Sequence, residues 1–186
     1  LQAARRLPED VAVSFNISAC DLTSATTLAF IRREIEGAGI RPERIWIEIT
    51  ETAVMRNAEA AAEALAAFRE LGVRIALDDF GTGYSSLSYV HRLPLDKVKI
   101  DRSFVKDVDR IEGERTTAAV ITLCHTMGLE CVAEGVETRA QYELLRSAGC
   151  EHAQGYLFSK PLPLEALLRR HAELVGLKSD FTILDT

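Results

Sequence analysis

The sequence contains no apolar run near the length of about 20 residues that a membrane-spanning helix requires. Its opening segment, residues 1–10, is polar and mixed, and it does not have the apolar stretch of a secretory signal peptide. Low-complexity segments and linkers rich in proline, glycine or serine are also missing. With 186 residues, the chain is long enough for a substantial core. We expect one domain over residues 1–176 and a C-terminal tail over residues 177–186.

Cysteine is scarce, and its occurrences at Cys20, Cys124, Cys131 and Cys150 form no Cys-x-x-Cys pair. A zinc ribbon or a thioredoxin-type motif is therefore not expected. The apolar surroundings of these residues predict reduced, mostly buried thiols, as in cytoplasmic proteins. We expect a cytoplasmic location for this chain, whether or not its parent protein has a membrane anchor.

Positive charge is also in short supply. The 22 lysine and arginine residues are outnumbered by 28 aspartate and glutamate residues, which gives a net charge of −6. A nonspecific binder of the phosphate backbone has the opposite balance, so we do not expect a DNA or RNA duplex as a partner. A local basic site is still compatible with this composition.

What the sequence does contain is an alternation of strand-like and helix-like segments. Short apolar runs predict strands over residues 11–15, 44–49, 73–77, 97–100, 129–133 and 151–156. Helical runs, several of them closed by glycine, predict helices over residues 22–38, 57–71, 85–91, 114–127, 138–148 and 163–175. This alternation predicts a parallel sheet with crossover helices.

Polar residues stand at or just beyond the carboxyl ends of the predicted strands. They are Asn16, Glu48, Asp78, Asp79, Lys99, Asp101, Glu134 and Gln154. An open doubly wound sheet would concentrate its site at one switch point, whereas a closed barrel gathers residues from many strands onto one rim. The spread over six strands therefore predicts an α/β fold of the TIM-type (β/α) barrel class.

The predicted barrel is incomplete. A TIM-type barrel has eight strands and about 250 residues, so this chain is short by about two βα units. Residues 2–7 resemble the end of a helix, and we therefore expect the remaining units to precede Leu1. Because a barrel without two strands has open edges, we expect these 186 residues alone to have little or no activity.

Two adjacent carboxylates, Asp78 and Asp79, follow the apolar strand at 73–77. Negative charges at a strand end are costly unless a cation accompanies them. With Asn16 and Glu48 they form an oxygen-rich set without imidazole or thiolate, which suits Mg²⁺ or Mn²⁺. Several carboxylates on one rim can hold two metal ions about 3.5–4 Å apart, an arrangement that hydrolyses phosphodiesters.

Two further residues add chemistry to this set. Lys99 could orient a phosphate or an attacking water, and Glu134 could act as a base or an outer metal ligand. An acidic residue at a strand end is more often a plain helix cap. The repetition at six strand ends favours a functional rim over six separate caps.

The segment from Gly81 to Ser86 matches only part of the dinucleotide-binding pattern Gly-x-Gly-x-x-Gly. Its third glycine is missing, and the two acidic residues before it repel a pyrophosphate unless metal ions intervene. We interpret Gly81 and Gly83 as permitting a tight, mobile turn.

Six runs of residues, in this order, resemble the signature set of the EAL-domain family, the cyclic di-GMP-specific phosphodiesterases. The runs are Asn16-Ile17-Ser18, Glu48-Ile49-Thr50-Glu51, residues 78–87, Lys99-Ile100-Asp101, Glu134-Gly135-Val136-Glu137 and Gln154-Gly155-Tyr156. The resemblance extends over residues 11–168. It implies metal-dependent hydrolysis of cyclic di-GMP to linear pGpG in bacterial second-messenger signalling, by a two-metal site with Mg²⁺ or Mn²⁺.

The resemblance also implies roles for the metal-binding residues and for Lys99. Asn16, Glu48 and Asp78 would ligate one metal ion. Asp78 would bridge to a second ion, which Asp79 also holds. Lys99 would position the hydrolytic water and contact a phosphate.

For the remaining residues the implied roles are more varied. Glu134 would be the general base or a contact of the second metal ion, and Gln154 would bind the nucleotide. Asp101 and Glu137 match further acidic positions of the active site, and Glu51 matches a glutamate that anchors the loop after Asp79. The loop at 78–87 and the helix after it resemble a homodimer contact. An upstream GGDEF or sensor domain is a common companion of this family.

The family is named for a Glu-Ala-Leu motif on its first strand, and this chain has Glu165-Ala166-Leu167 inside its last predicted helix. A glutamate there would lie on the outer ring of helices, paired with Arg169 at i,i+4. We therefore expect the functional motif upstream of Leu1. The alternative function is a receptor that binds cyclic di-GMP without hydrolysing it. Such a receptor would have lost several of the residues that this chain retains.

Overall fold

Six parallel strands form the frame of the protein. In the computed structural model, which describes residues 1, 3–81 and 90–177, they are β1 Val13–Asn16, β2 Ile45–Thr50, β3 Arg74–Phe80, β4 Lys97–Ile100, β5 Glu130–Glu134 and β6 His152–Gln154. Each strand pairs with the next one in the sequence, and all five pairs are parallel. The predicted parallel sheet with sequential strands is confirmed.

Helices connect these strands. They are α1 Ala19–Leu22, α2 Ala25–Glu36, α3 Glu51–Arg56, α4 Ala58–Glu70, α5 Arg102–Lys106, α6 Ile111–Thr126, α7 Arg139–Ser147 and α8 Leu164–Leu177, with short 3₁₀ helices at Ala3–Arg6 and Pro42–Arg44. None of the described helices is both long enough and apolar enough to cross a membrane.

Alternation along the strands separates a core face from an inner face. In β2, Ile45, Ile47 and Ile49 are fully buried in the main hydrophobic cluster, which includes Leu65 of α4. Glu48 lies between these isoleucines in sequence and is only half-buried. The apolar face of the sheet therefore packs on the helices, and the polar residues of the strands are left to the opposite, inner face.

The sheet curls so that both of its edges face one cavity. This cavity, of about 200 Å³, is lined by Val13 and Ser14 of β1 and by His152 and Gln154 of β6. In a flat sheet these two edge strands would be about 24 Å apart, five strand spacings. The curvature is that of a (β/α) barrel with six strands among the described residues, which confirms the predicted fold class.

Some predicted bounds differ from the observed ones. The helix predicted at 22–38 is α2 at 25–36, which starts later because the side chain of Ser24 accepts a hydrogen bond from Thr27 N, and Leu22 instead ends the separate helix α1. β3 extends to Phe80, past the predicted end at 77, with a register shift between Leu77 and Phe80. The short helices α3 and α5 were not predicted. Most of the helix predicted at 85–91 lies outside the described residues.

The Glu-Ala-Leu sequence at 165–167 lies in α8, as predicted. The predicted ion pair between Glu165 and Arg169 is wrong. Glu165 instead pairs with Arg6 of the first 3₁₀ helix, because its exposed side chain reaches across to that segment rather than along its own helix. Residues 178–186 lie outside the described part, so the predicted boundary at 176/177 stays a prediction.

β6 ends where Gly155 packs directly on the backbone of Val136. A Cβ atom at position 155 would lie 2.1 Å from Val136 O and 2.3 Å from Val136 N. The peptide of Val136 cannot move away freely, because its N–H donates to Gln154 O and its carbonyl accepts from Leu157 N, both at 3.0 Å. We expect Gly155→Ala to lower the free energy of unfolding by about 3 kcal/mol, measured by urea denaturation.

Gly128→Ala is the matched control for this steric effect. Gly128, unlike Gly155, has a positive φ, of +73°, and a Cβ atom there would have no neighbour within 4 Å among the described residues. This substitution should cost only about 1–2 kcal/mol for the left-handed backbone. Equal losses of stability in the two variants would contradict the steric explanation for Gly155.

Candidate active site

A buried lysine lies at the centre of the rim formed by the carboxyl ends of the strands. Lys99 Nζ is 2.7 Å from Glu48 Oε2, 2.7 Å from Glu134 Oε1 and 3.1 Å from Asp78 Oδ1. An ammonium group has three N–H donors. Each donor of Lys99 can therefore be directed at a different carboxylate. We call Lys99, Glu48, Asp78 and Glu134 the Lys99 cluster.

The curl of the sheet brings this cluster together. Glu48 belongs to β2 and Glu134 to β5, with β3 and β4 between them. Three strand spacings in a flat sheet amount to about 14 Å. Both carboxylates nevertheless contact the same Nζ atom. Residues that are 86 positions apart in the sequence thus share one cation because the strands tilt around a common axis.

Burial and hydrogen bonding act in opposite directions on the pKa of Lys99. Burial lowers this pKa, but the hydrogen bonds to Glu134 and Glu48 outweigh it and raise the pKa above its usual range. Burial raises the pKa of Glu134, and the hydrogen bond to Lys99 opposes that shift. Lys99 is therefore charged at neutral pH, and Glu134 is a better proton acceptor than an exposed glutamate.

Asp79 extends the negative charge of the rim. Its backbone has φ +55°, at the register shift of β3, and its N–H donates to Asp78 Oδ1 at 3.0 Å. Burial, and then the charges of Asp78 and Asp101, raise the pKa of Asp79. A left-handed backbone at a non-glycine residue stores strain, and such strain clusters at functional sites.

Glu51 lies buried beneath the segment that follows Asp79. It begins α3, and its Oε2 accepts a hydrogen bond from Gly81 N at 3.2 Å. Its Oε1 is buried without a hydrogen-bond partner among the described residues. Gly81 has φ +92°, and a Cβ atom there would lie 2.7 Å from the ring of Phe104. The backbone at Gly81 is therefore held between Glu51 and Phe104.

The other predicted site residues surround the Lys99 cluster at different distances. Asn16 ends β1 and is paired with Glu48 in the strand register. Asp101 accepts a hydrogen bond from Ser103 N at 3.0 Å and so caps α5. Burial opposes this effect, but the hydrogen bond lowers the pKa of Asp101. Gln154 lines the central cavity together with Glu48 and Lys99.

Glu137 is a predicted site residue that lies outside the Lys99 cluster. It is exposed, and its backbone N–H donates to Gln141 Oε1 at 2.9 Å beside the N-terminus of α7. The backbone of Glu137 is thus part of the N-terminal cap of α7.

Sequence analysis overlooked a second layer of the inner face, next to the cluster. Lys97 Nζ lies 4.4 Å from the ring centroid of Trp46, and both residues line the central cavity. A signal was available, because the two-residue period of a strand places Trp46 on the face of Glu48 and Lys97 on the face of Lys99. These side chains fill the barrel interior beneath the rim.

The donor set of the rim suits a divalent metal ion. Three carboxylates, Glu48, Asp78 and Asp79, and the amide of Asn16 lie at the carboxyl ends of three adjacent strands. Hard oxygen donors of this kind bind Mg²⁺, Mn²⁺ and Ca²⁺. Burial, followed by repulsion from Asp78 and Asp101, raises the pKa of Asp79, and a bound cation would offset both effects.

Comparison with known proteins agrees with this geometry. The family model described as "EAL domain" matches residues 1–161. The cyclic di-GMP phosphodiesterase NbdA of Pseudomonas aeruginosa is 45% identical over 160 residues, which cover 86% of this chain and 20% of NbdA. The chain therefore spans about a fifth of the length of this curated relative.

Solved structures show the same similarity. The structure of the MucR phosphodiesterase in complex with cyclic di-GMP has a TM-score of 0.82 and 37% identity, and the match covers 89% of this chain and 67% of that one. Klebsiella pneumoniae BlrP1, in a complex with manganese and cyclic di-GMP, has a TM-score of 0.78 and 34% identity, with 86% and 42% covered. Since the family model matches most of the sequence and the fold and rim agree with it, the chain belongs to the EAL domain family.

Proposed function

We propose that this chain provides the catalytic rim of a metal-dependent phosphodiesterase that hydrolyses cyclic di-GMP to linear pGpG. The observation that carries the proposal is the Lys99 cluster, in which one cation and three carboxylates converge from four strands. NbdA is a cyclic di-GMP phosphodiesterase, and the MucR structure contains cyclic di-GMP. Both relatives support cyclic di-GMP as the substrate.

The oxygen donors of the rim would bind the metal ions. Asn16, Glu48 and Asp78 would hold one divalent ion, and Asp78 and Asp79 would hold a second. When bound, such ions neutralise charge on the phosphoryl oxygens and lower the pKa of water. Complexes of BlrP1 with calcium and with manganese support a divalent ion in this family. We propose Mg²⁺ or Mn²⁺ as the ion that supports turnover.

Lys99 and Glu134 act on the reacting groups. With Glu48 and Asp78 as ligands of divalent ions, Lys99 would have N–H donors for a phosphate oxygen and for the attacking water. Glu134, whose pKa burial raises, accepts a proton from that water. The water oxygen forms a new bond to phosphorus, and the bond from phosphorus to the leaving ribose oxygen breaks. That oxygen takes up a proton from solvent.

The remaining predicted site residues support this arrangement. Gln154, in the wall of the central cavity, would bind the nucleotide next to Lys99. The negative charge of Asp101, which raises the pKa of Asp79, would add to the attraction of the rim for divalent ions. Glu137 lies outside the Lys99 cluster in this structure, so an active-site role for it requires the bound substrate to extend over the β5–α7 loop.

The test is turnover of cyclic di-GMP by the full-length parent protein, with pGpG quantified by chromatography. We expect turnover with Mg²⁺ or Mn²⁺, no turnover after treatment with EDTA, and recovery when metal is restored. Binding of cyclic di-GMP without pGpG formation in any metal would overturn the proposal and identify a receptor. The retained Lys99 cluster favours the enzyme over the receptor.

Replacement of Glu51 with glutamine should impair turnover more than binding. The substitution keeps the shape of the side chain but removes the charge that Gly81 N–H contacts, so the segment after Asp79 is held less firmly. We expect kcat to fall by about tenfold, or about 1.4 kcal/mol, with KM changed by less than about threefold. Steady-state kinetics would measure both values.

Glu59→Gln is the control for this substitution, because Glu59 is an exposed glutamate in the neighbouring helix α4. Its kinetics should equal those of the unmodified protein. An unchanged kcat in Glu51→Gln would contradict the anchoring role of Glu51.

We also propose a cytoplasmic location and a homodimer for the parent protein. The proposed dimer contact, the loop at 78–87 and the helix after it, falls largely outside the described residues. MucR is named a bifunctional diguanylate cyclase and cyclic di-GMP phosphodiesterase. This name supports the proposal that a GGDEF or sensor domain precedes the chain in its parent.

A further inference from the structure

A second group of metal-binding side chains lies at the opposite end of the strands. Ligand atoms of His125, Cys131 and Glu151 all lie within 4.8 Å of one another. Cys131 is the second residue of β5, whereas Glu134 of the Lys99 cluster is its last. Three residues along a strand span about 10 Å. This group is therefore separate from the rim and belongs to the amino ends of the strands.

Three different segments bring these side chains together. His125 is in the last turn of α6, Cys131 is in β5, and Glu151 directly precedes β6. Glu151 is held by both oxygens: Oε2 accepts from Cys131 N at 2.9 Å, and Oε1 lies 2.7 Å from His125 Nε2. The imidazole lies beside Gly149, where a Cβ atom would be 3.5 Å from His125 Cε1, an ordinary contact distance. Glu151 therefore links His125 of α6 to the backbone of β5.

Two further thiols adjoin the group. Cys124, which is fully buried, directly precedes His125, and its thiol raises the pKa of Cys131. Cys150 Sγ lies 3.2 Å from His152 O and 3.7 Å from Cys131 O. All four cysteines of the chain are free, and three of them meet here. Only Cys20 lies elsewhere, exposed in α1.

We propose that His125, Cys131 and Glu151 form a three-ligand binding site for a divalent metal ion of the zinc class, with water as the fourth ligand. Sulfur and imidazole donors prefer Zn²⁺ and Co²⁺ to Mg²⁺, which distinguishes this site from the all-oxygen rim. The ligands come from three separate segments, so the sequence contains no Cys-x-x-Cys pair that would have predicted the site.

Modest movement of side chains would complete the coordination. Neighbouring ligand atoms of a tetrahedral zinc ion are about 3.3–3.8 Å apart, given bonds of about 2.0–2.3 Å. The pair formed by His125 Nε2 and Glu151 Oε1, at 2.7 Å, must therefore open slightly, and the solvent exposure of both side chains, more than a third each, leaves space for this movement. Binding releases to solvent the thiol proton of Cys131 and any proton shared by His125 and Glu151.

The competing explanation is an ordinary ion pair between Glu151 and a protonated His125, which the C-terminal end of helix α6 would also favour. Titration of the metal-free full-length protein with Co²⁺ separates the two explanations. Co²⁺ bound to thiolate gives a near-ultraviolet charge-transfer absorption that carboxylate ligands do not give. Ions at the rim therefore do not contribute to it.

We expect this absorption to saturate at one Co²⁺ per chain and to be displaced by Zn²⁺. His125→Gln and Glu151→Gln, which alter exposed side chains, should each weaken Co²⁺ binding by at least about tenfold. Cys131→Ser should abolish the absorption, with circular dichroism as the check on folding. Cys20→Ser and Asp78→Asn should leave it unchanged.

Two results would overturn the proposal. The first is no thiolate absorption at saturating Co²⁺. The second is an absorption with the same affinity in His125→Gln and Glu151→Gln as in the unmodified protein. Neither readout depends on phosphodiesterase activity, so the proposal stands or falls separately from the proposed function.

Discussion

Replacing Lys99 with methionine is expected to lower kcat for cyclic di-GMP by about 10²–10³-fold, the range for removal of one donor that stabilises developing charge. Lys99 is the cation that contacts Glu48, Asp78 and Glu134 at once. Methionine retains the length and apolar stem of lysine but neither its charge nor its donors. Formation of pGpG under saturating substrate and metal would measure the loss.

Lys97→Met is the matched control. Lys97 lies on the same strand and faces the same cavity, but its ammonium group lies against Trp46 and beside Glu130 rather than at the rim. We expect kcat within about threefold of the unmodified value, because no donor to the reacting groups is lost. Comparable losses in both variants would show that activity requires positive charge in the barrel interior in general, and not Lys99 in particular.

Replacing Asp78 with asparagine is expected to reduce kcat/KM by about 10³-fold or more, because one carboxylate that would serve both metal ions loses its charge. The substitution is nearly isosteric. The amide oxygen can still accept the hydrogen bond from Asp79 N, so the strained backbone of β3 should persist. We expect Mn²⁺ affinity, measured by calorimetry, to fall together with activity.

The control for this substitution is Asp109→Asn, at an exposed aspartate near α6. It should change neither Mn²⁺ affinity nor turnover. If Asp78→Asn retained the Mn²⁺ affinity of the unmodified protein, Asp78 would not be a metal ligand, and the two-metal assignment of the rim would fail with it.

The strand ends could be predicted from the sequence because apolar runs are local, and each polar residue that follows one is visible. Glu48, Asp78, Lys99 and Glu134 were identified in this way, and their convergence is observed. The sequence could not show that one lysine contacts all three carboxylates. That result depends on the curl of the sheet, which arises from pairing between distant segments.

Other features were missed because tertiary contacts decide them. The helix predicted at 22–38 starts only at Ala25, because the hydroxyl of Ser24 caps α2 at that point. Glu165 pairs with Arg6, 159 positions away, so no local rule predicts its partner. The group of His125, Cys131 and Glu151 could not be predicted from the sequence either, because these residues become neighbours only when α6, β5 and the segment before β6 pack together.

The contacts of Lys99 also stabilise the curvature of the sheet. The ammonium group contacts Glu48 of β2 and Glu134 of β5 on the concave side of the sheet. It therefore links two strands that are separated by β3 and β4. Any motion that flattens the sheet must break one of these two contacts. The curvature of the sheet and the charge balance of the rim are therefore coupled, because both depend on the contacts of Lys99 with Glu48 and Glu134.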